Sequence, residues 1–250
     1  MITLKSAREI EIMARAGRIV AGTLALMREI VRPGMTTEDL DVAAEDYIRG
    51  HDGAIPSFKG LYGFPKTLCI SIDEEIVHGI PSPRRVLAAG SIVSVDVGVQ
   101  LEGLHADSAT TIPVGEVTEE AERLLRVTRE SLTAAIGQAR VGNHVGDIGH
   151  AVQKVAEGAG FGVVRELVGH GIGSRFHEEP QVPNYGSPRR GPRLLEGMTI
   201  AIEPMITMGN PATRTLNDKW TVVTADGSLS AHFEHTVAIT ANGPRILTAA

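Results

Sequence analysis

The stretch from Gly90 to Thr111 constrains this chain more than any other: Gly-Ser-Ile-Val-Ser-Val-Asp-Val-Gly-Val-Gln-Leu-Glu-Gly-Leu-His-Ala-Asp-Ser-Ala-Thr-Thr. Two alternating apolar runs flank a short turn at Leu101, Glu102 and Gly103, which is the pattern of an antiparallel hairpin. Alternate residues share a face, so Val93, Val95 and Val97 point one way and Ser94, Asp96 and Gly98 the other. With the turn centred between Leu101 and Glu102, Asp96 is expected directly opposite Asp107. Opposed like charges destabilise a sheet, and buried ones are costly unless something neutralises them. A shared proton or a bound cation would do so.

The remaining 228 of the 250 residues decide between these, and they read as an α+β chain. Ser6-x-x-Glu9 opens an amphipathic helix that Pro33-Gly34 stops. A second helix is expected from about Thr37 to Ile48, a third from Thr118 to about Arg140, and a fourth from about Val145 to Glu157. Residues 54–66 read as loop. Strand patterns fall at Leu68–Ile72, Glu75–His78, Thr199–Ile206, Trp220–Thr224 and Leu229–Thr240. Gly-rich turns surround His170 and His177. A composition of 42% hydrophobic and 22% charged residues is that of an ordinary globular protein. A net charge of -6 argues against a life on nucleic acid. Arg189, Arg190 and Arg193 read as a solvated loop. No apolar run reaches membrane length, the N-terminus is too charged for a signal peptide, and Cys69 is the single cysteine. A cytoplasmic protein without disulfides is expected.

Helices followed by strands occur twice, and the two runs match in order. Gly34 to Leu40 aligns with Gly142 to Ile148, and His78-Gly79-Ile80 with His170-Gly171-Ile172. Gly90 to Asp96 aligns with Gly197 to Glu203, and His105-Ala106-Asp107 with His232-Phe233-Glu234. The chain therefore reads as one catalytic domain, residues 1–250, of two related halves (roughly 1–115 and 116–250) about a pseudo-two-fold axis. Each half then supplies two acids near that axis, Asp96 and Asp107 from one, Glu203 and Glu234 from the other. Four carboxylates cannot economically share a proton, so cations are required. With His170 as a nitrogen donor, the set suits two divalent metals. Oxygen-rich donors with one imidazole leave Mn, Fe, Co or labile Zn open. His78 and His177 are placed to meet substrate. His105, His232 and His235 read as supporting or structural residues.

These residues resemble the methionine aminopeptidases, in particular the short bacterial type I enzymes. The motifs are Thr67-Leu-Cys-Ile-Ser-Ile-Asp-Glu-Glu-Ile-Val-His78-Gly-Ile-Pro, Val95-Asp96-Val-Gly, His105-Ala-Asp107, Gly169-His170-Gly-Ile-Gly, Phe176-His177-Glu-Glu-Pro, Ile202-Glu203-Pro-Met and Phe233-Glu234-His-Thr. The resemblance covers nearly the whole chain. It implies the pita-bread fold, a curved antiparallel sheet covered by helices, with Asp96, Asp107, His170, Glu203 and Glu234 holding two metals and Asp107 and Glu234 bridging them. The implied reaction removes the N-terminal methionine from nascent polypeptides with a small second residue. Glu203 would be the general base and proton shuttle, His177 the oxyanion donor, and His78 a hydrogen-bond partner of the leaving amide nitrogen. A deformylase would act first.

The implied methionine pocket comprises Phe58, Leu61, Phe64, Cys69, Phe176 and Trp220. Several bacterial relatives have Cys and Tyr where this chain has Phe58, Leu61 and Phe64, so the pocket departs from the pattern while still suiting a thioether. Resemblance also implies a monovalent cation on loop carbonyls near Asp73, Glu75 and Ser230. A monomer is expected; docking on the ribosome would need a local basic patch such as Arg214 and Lys219, because the surface is acidic overall. Two other readings compete: a proline-directed peptidase, whose relatives usually carry an extra N-terminal domain, and a non-catalytic peptide-binding protein of the same fold. Peptides beginning Met-Ala and Ala-Pro discriminate among the three.

Overall fold

A computed structural model describes residues 2–249. Four helices are present among them: α1 (Ala7–Ile30), α2 (Thr37–Arg49), α3 (Glu119–Gln138) and α4 (Val145–Gly158). The strands before α3 are β1 (Ile55–Pro56), β2 (Cys69–Ile72), β3 (Glu75–Val77), β4 (Ile92–Leu101) and β5 (Leu104–Pro113). After α4 come β6 (Gly162–Val163), β7 (Gly169–Gly171), β8 (Glu178–Val182), β9 (Thr199–Ile202) and β10 (Met205–Thr207). The last are β11 (Thr213–Thr215), β12 (Val222–Thr224), β13 (Ser230–His232), β14 (His235–Thr240) and β15 (Gly243–Ile246). No helix among the described residues is long and apolar enough to cross a membrane.

The helices begin where side chains satisfy their free N–H groups. Ser6 and Glu9 form a reciprocal capping box on α1, and Thr36 and Asp39 form one on α2. At α4 the backbone N–H of His144 donates to Asp147 (2.7 Å), as that of Thr36 does to Asp39 (2.8 Å). Both cap residues also sit in isolated bridges, Thr36 with Val86 and His144 with Arg193. The Val face of β4 packs beneath α1 and α2, with Val93, Val95, Val97 and Val99 buried against Val20, Leu24, Leu40 and Ala44. A second core lies beneath α3 and α4, where Leu124, Leu132, Ile148 and Val152 meet Ile200, Ile202, Val237 and Ile239.

Among the described residues all strand pairings are antiparallel, but the strands form four hydrogen-bonded groups rather than one continuous sheet. β4 pairs with β5 on one edge and with β1 and β2 on the other. The largest group runs β15-β14-β9-β7-β8. Two expected strands are broken. Thr199–Ile206 divides into β9 and β10 at Glu203-Pro204, where proline has no N–H to continue a ladder. Leu229–Thr240 divides into β13 and β14 at Phe233-Glu234. Trp220 lies outside β12, because Asp218 accepts the N–H groups of Trp220 and Thr221 in a turn. The 54–66 loop contains β1 and a 3-10 turn at Leu61–Gly63, and His170 lies in β7 rather than in a turn.

The hairpin register also differs from expectation. Glu102 (φ 50°) and Gly103 (φ 80°) form a two-residue turn with both backbones left-handed, so Leu101 pairs with Leu104. Asp96 then opposes Ala109, and Asp107 opposes Gly98. The two acids share a face but are diagonal neighbours, not a direct pair. The alignment of His78 with His170 likewise does not extend to strand position. The strand beside β9 is β7, which carries His170, whereas the one beside β4 is β2, and His78 follows β3.

Hydroxyl groups join β5 to the 232–236 segment. The Thr236 hydroxyl accepts from Asp107 N–H (2.9 Å) and donates to Asp107 C=O (2.8 Å). Thr111 does the same for His232 (2.9 Å each way). Ser108 Oγ donates to Glu234 C=O (2.5 Å), and Glu234 N–H donates to Ala109 C=O (3.0 Å). Thr236→Val is predicted to lower the unfolding free energy of the metal-free protein by about 1–3 kcal/mol, because it leaves a buried N–H unpaired. Urea unfolding measures this; an unchanged midpoint would show that the seam contributes nothing.

Candidate metal centre

The seam sets two carboxylates side by side. Asp107 is held by Thr236, and Glu234 by the Ala109 carbonyl and the Ser108 hydroxyl. Asp96 projects from the same face of the hairpin, and Glu203 stands at the break after β9. His170 enters from β7. One donor atom each from Asp107, His170 and Glu234 lies within 4.8 Å of the others. His170 Nε2 is 4.0 Å from Asp107 Oδ2 and 3.7 Å from Glu203 Oε1. His232 Nε2 is 3.8 Å from Glu203 Oε2 and 4.0 Å from Glu234 Oε2. These separations are too long for hydrogen bonds.

The protonation states of this cluster follow from burial. Burial pushes the Asp96 carboxyl up to about 7. Burial, and then the charge of neighbouring acids, drives Asp107, Glu203 and Glu234 well above the usual carboxylate range. Burial takes His170 and His232 down to about 3, leaving both imidazoles neutral. The His170 Nδ1–H donates to the Gly171 carbonyl (2.8 Å), the tautomer that turns the Nε2 lone pair toward the carboxylates.

The donor set fits a cation. Asp96 Oδ1, Asp107 Oδ1, Glu234 Oε1 and His232 Nε2 are buried and have no hydrogen-bond partner. Buried polar atoms are almost always satisfied, and four orphaned acceptors converging in one place call for positive charge. All five residues of the expected metal set are present here, and His232 points at the same spot, although its sequence position implied only a supporting role.

A cavity of about 320 Å³ opens from this cluster. Phe58, Leu61, Phe64, Cys69, Phe176 and Trp220 all line it, with His78 and His177. Phe58 meets Phe176 edge-on (5.3 Å), and Phe64 meets Trp220 in the same way (5.1 Å). Gly98 permits the first contact, since a Cβ there would fall 2.7 Å from Phe176. Cys69 pairs with Asp96, and burial raises its thiol pKa well above the ordinary value, so it is a wall residue rather than a nucleophile. His78 adopts a left-handed backbone (φ 62°), and burial lowers its pKa to about 4. Tyr62, Val77, Leu167 and Met205 also line the cavity; nothing in their spacing marked them.

The other expected residues lie elsewhere. His105 is bound to Ser57 and Gln100, and His235 to Thr248. The Asp73 carbonyl accepts the Ser230 N–H (2.9 Å), which brings those two residues together. The Asp73 carboxylate is taken up by Ser91 and Ile92, and that of Glu75 by Ile72 and Arg85.

Comparison with known proteins agrees with this geometry. The profile of metallopeptidase family M24 matches residues 11–241. Methionine aminopeptidase of Clostridium perfringens is 55% identical, covering 99% of each chain. Methionine aminopeptidase 1 of Bacillus subtilis is 51% identical over the same shares. The crystal structure of methionine aminopeptidase from Thermotoga maritima superposes with a TM-score of 0.98 at 45% identity, covering 100% of both chains.

The protonation states predict a pH signature. Above pH 6.5, the ordinary histidine value, His170 and His232 are neutral both folded and unfolded. The carboxyls differ, because the folded protein retains protons that the unfolded chain has already lost by about pH 5. The folded state therefore binds more protons, and stability must fall as pH rises. As pH rises from about 6.5 toward 7 and beyond, the metal-free protein is predicted to lose stability, by up to about 1.4 kcal/mol per pH unit for each proton retained. Urea unfolding at several pH values checks this; stability that is flat or rising would contradict it.

Proposed function

We propose, from the premise that the chain belongs to metallopeptidase family M24 and within it to the methionine aminopeptidases, that it removes the N-terminal methionine from nascent polypeptides whose second residue is small. The chain is a metallo-aminopeptidase of the pita-bread fold. The observation that carries the reading is a set of orphaned, buried donors at the end of an apolar cavity.

Asp96, Asp107, His170, Glu203 and Glu234 would hold two divalent ions, Co, Mn, Fe or Zn. Such ions supply Lewis acidity and a water acidified toward neutral pH. Glu203 takes up the proton of the attacking water and passes it to the leaving nitrogen. His177, at the cavity mouth, donates to the developing oxyanion. His78, half-buried in the same wall, hydrogen-bonds the amide nitrogen on the leaving side. Phe58, Leu61, Phe64, Cys69, Phe176 and Trp220 hold the methionine side chain, whose thioether suits aromatic walls.

This reading makes the protein a cytoplasmic monomer acting on chains as they leave the ribosome. A monovalent cation beside the Asp73–Ser230 contact belongs to it as well, held by backbone oxygens because both nearby carboxylates are engaged.

The metal-loaded protein is predicted to release methionine from Met-Ala-Ser and nothing from Ala-Pro-Ala. Glu203→Gln should lower kcat by about a hundred- to ten-thousand-fold with the fold intact. Free amino acids from each peptide are the readout. Release from Ala-Pro-Ala alone would turn the assignment to a proline-directed enzyme, release from neither to a binding protein, and full activity in the variant would remove Glu203 from the mechanism.

A further inference from the structure

Tyr62 is out of place by the ordinary rules of loops. It occupies the centre of the Leu61–Gly63 turn with a left-handed backbone, φ 51° and ψ 18°. Bulky residues avoid that region, which costs them steric strain. Gly60 (φ 92°) and Gly63 (φ 88°) flank it, and a Cβ at either would meet nothing within 4 Å. The turn is thus not forced into shape by packing around those glycines. Nor does Tyr62 fill the core, since 73% of its surface is exposed.

The strained, exposed ring is directed at one neighbour. It stacks on the His177 imidazole, with centroids 5.7 Å apart and planes at 21°, and its hydroxyl oxygen is 3.3 Å from His177 Nδ1. Phe176 and His170 stand edge-on to the same imidazole, at 4.9 and 4.3 Å. An outlier of this kind points from conformation to function.

We propose that Tyr62 is a positioning residue for His177: its hydroxyl donates to Nδ1, fixes the Nε2–H tautomer and presents that N–H to the reacting carbonyl. This rests on the reading of His177 as the oxyanion donor. A neutral imidazole has one donor and one acceptor nitrogen, and the bond made by one sets the role of the other. With the proton on Nδ1, Nε2 would turn a lone pair toward the developing negative charge. With Tyr62 donating, Nε2 keeps the proton and can stabilise that charge. The stacked phenol also limits rotation of the imidazole, leaving the hydroxyl to choose the tautomer.

Tyr62→Phe isolates the hydroxyl, because it keeps the ring. Two measurements on the full-length chain test the proposal. The first is the pair of His177 side-chain ¹⁵N shifts in the metal-free protein, assigned by their loss in His177→Asn. The wild type should show a protonated Nε2 and a bare, hydrogen-bonded Nδ1, and Tyr62→Phe should move both toward a tautomer mixture. A protonated Nδ1 in the wild type, or shifts unchanged in the variant, would overturn the proposal. The second is steady-state cleavage of Met-Ala-Ser. Tyr62→Phe should lower kcat about two- to tenfold, the worth of one hydrogen bond, at constant KM. A change confined to KM would overturn it too, by making Tyr62 a binding residue only. If the wild type releases no methionine, the proposed function fails, and the nitrogen shifts still decide whether Tyr62 sets the tautomer.

Discussion

The constraint on which the rest depends is the desolvation of four carboxyl groups gathered in one place. Asp96, Asp107, Glu203 and Glu234 all have raised proton affinities, and the two imidazoles beside them are neutral. Among the described residues, no arginine or lysine is paired with any of the four. A fold that wanted only stability would fill this space with valine, as it does on the other face of the same hairpin. Keeping four acids here makes sense where cations complete them, and the orphaned oxygens show where the positive charge belongs.

The remainder of the fold holds this cluster together. Two helix-backed cores fix β4 and β5 on one side and β9 and β14 on the other. Hydroxyls from Ser108, Thr111 and Thr236 then tie β5 to the 232–236 segment through backbone atoms of Asp107, His232 and Glu234. These bonds act on the backbones of Asp107 and Glu234, so the positions of those two carboxyls are set by their own main chain. Gly98 lets the aromatic wall close down beside Asp96. Metal chemistry and side-chain recognition thus share one strand face.

Much of this was legible in the sequence, for identifiable reasons. The starts of the first and third helices were readable because Ser6 and Thr118 announce them chemically. The acids were readable because each stands in or beside an apolar strand, where an unpaired charge is costly. The hairpin register was not: it depends on left-handed backbones at Glu102 and Gly103, and a shift of two residues leaves the face pattern unchanged. The breaks at Glu203-Pro204 and Phe233-Glu234 were hidden by apolar runs that continue through them. The hydroxyl seam could not be seen, since Ser and Thr in strands are ambiguous until the partner is known. His232 and Tyr62 escaped for the same reason: their roles lie in where they point.

The central claim is that the acids stay protonated without metal and exchange those protons for cations. Calorimetric titration of Mn²⁺ into the metal-free protein near pH 7.5, in buffers of different ionisation enthalpy, tests it directly. Metal binding should release protons, because carboxyls held above their ordinary range must ionise to coordinate. Binding whose heat is the same in every buffer, with no proton released, would contradict the account.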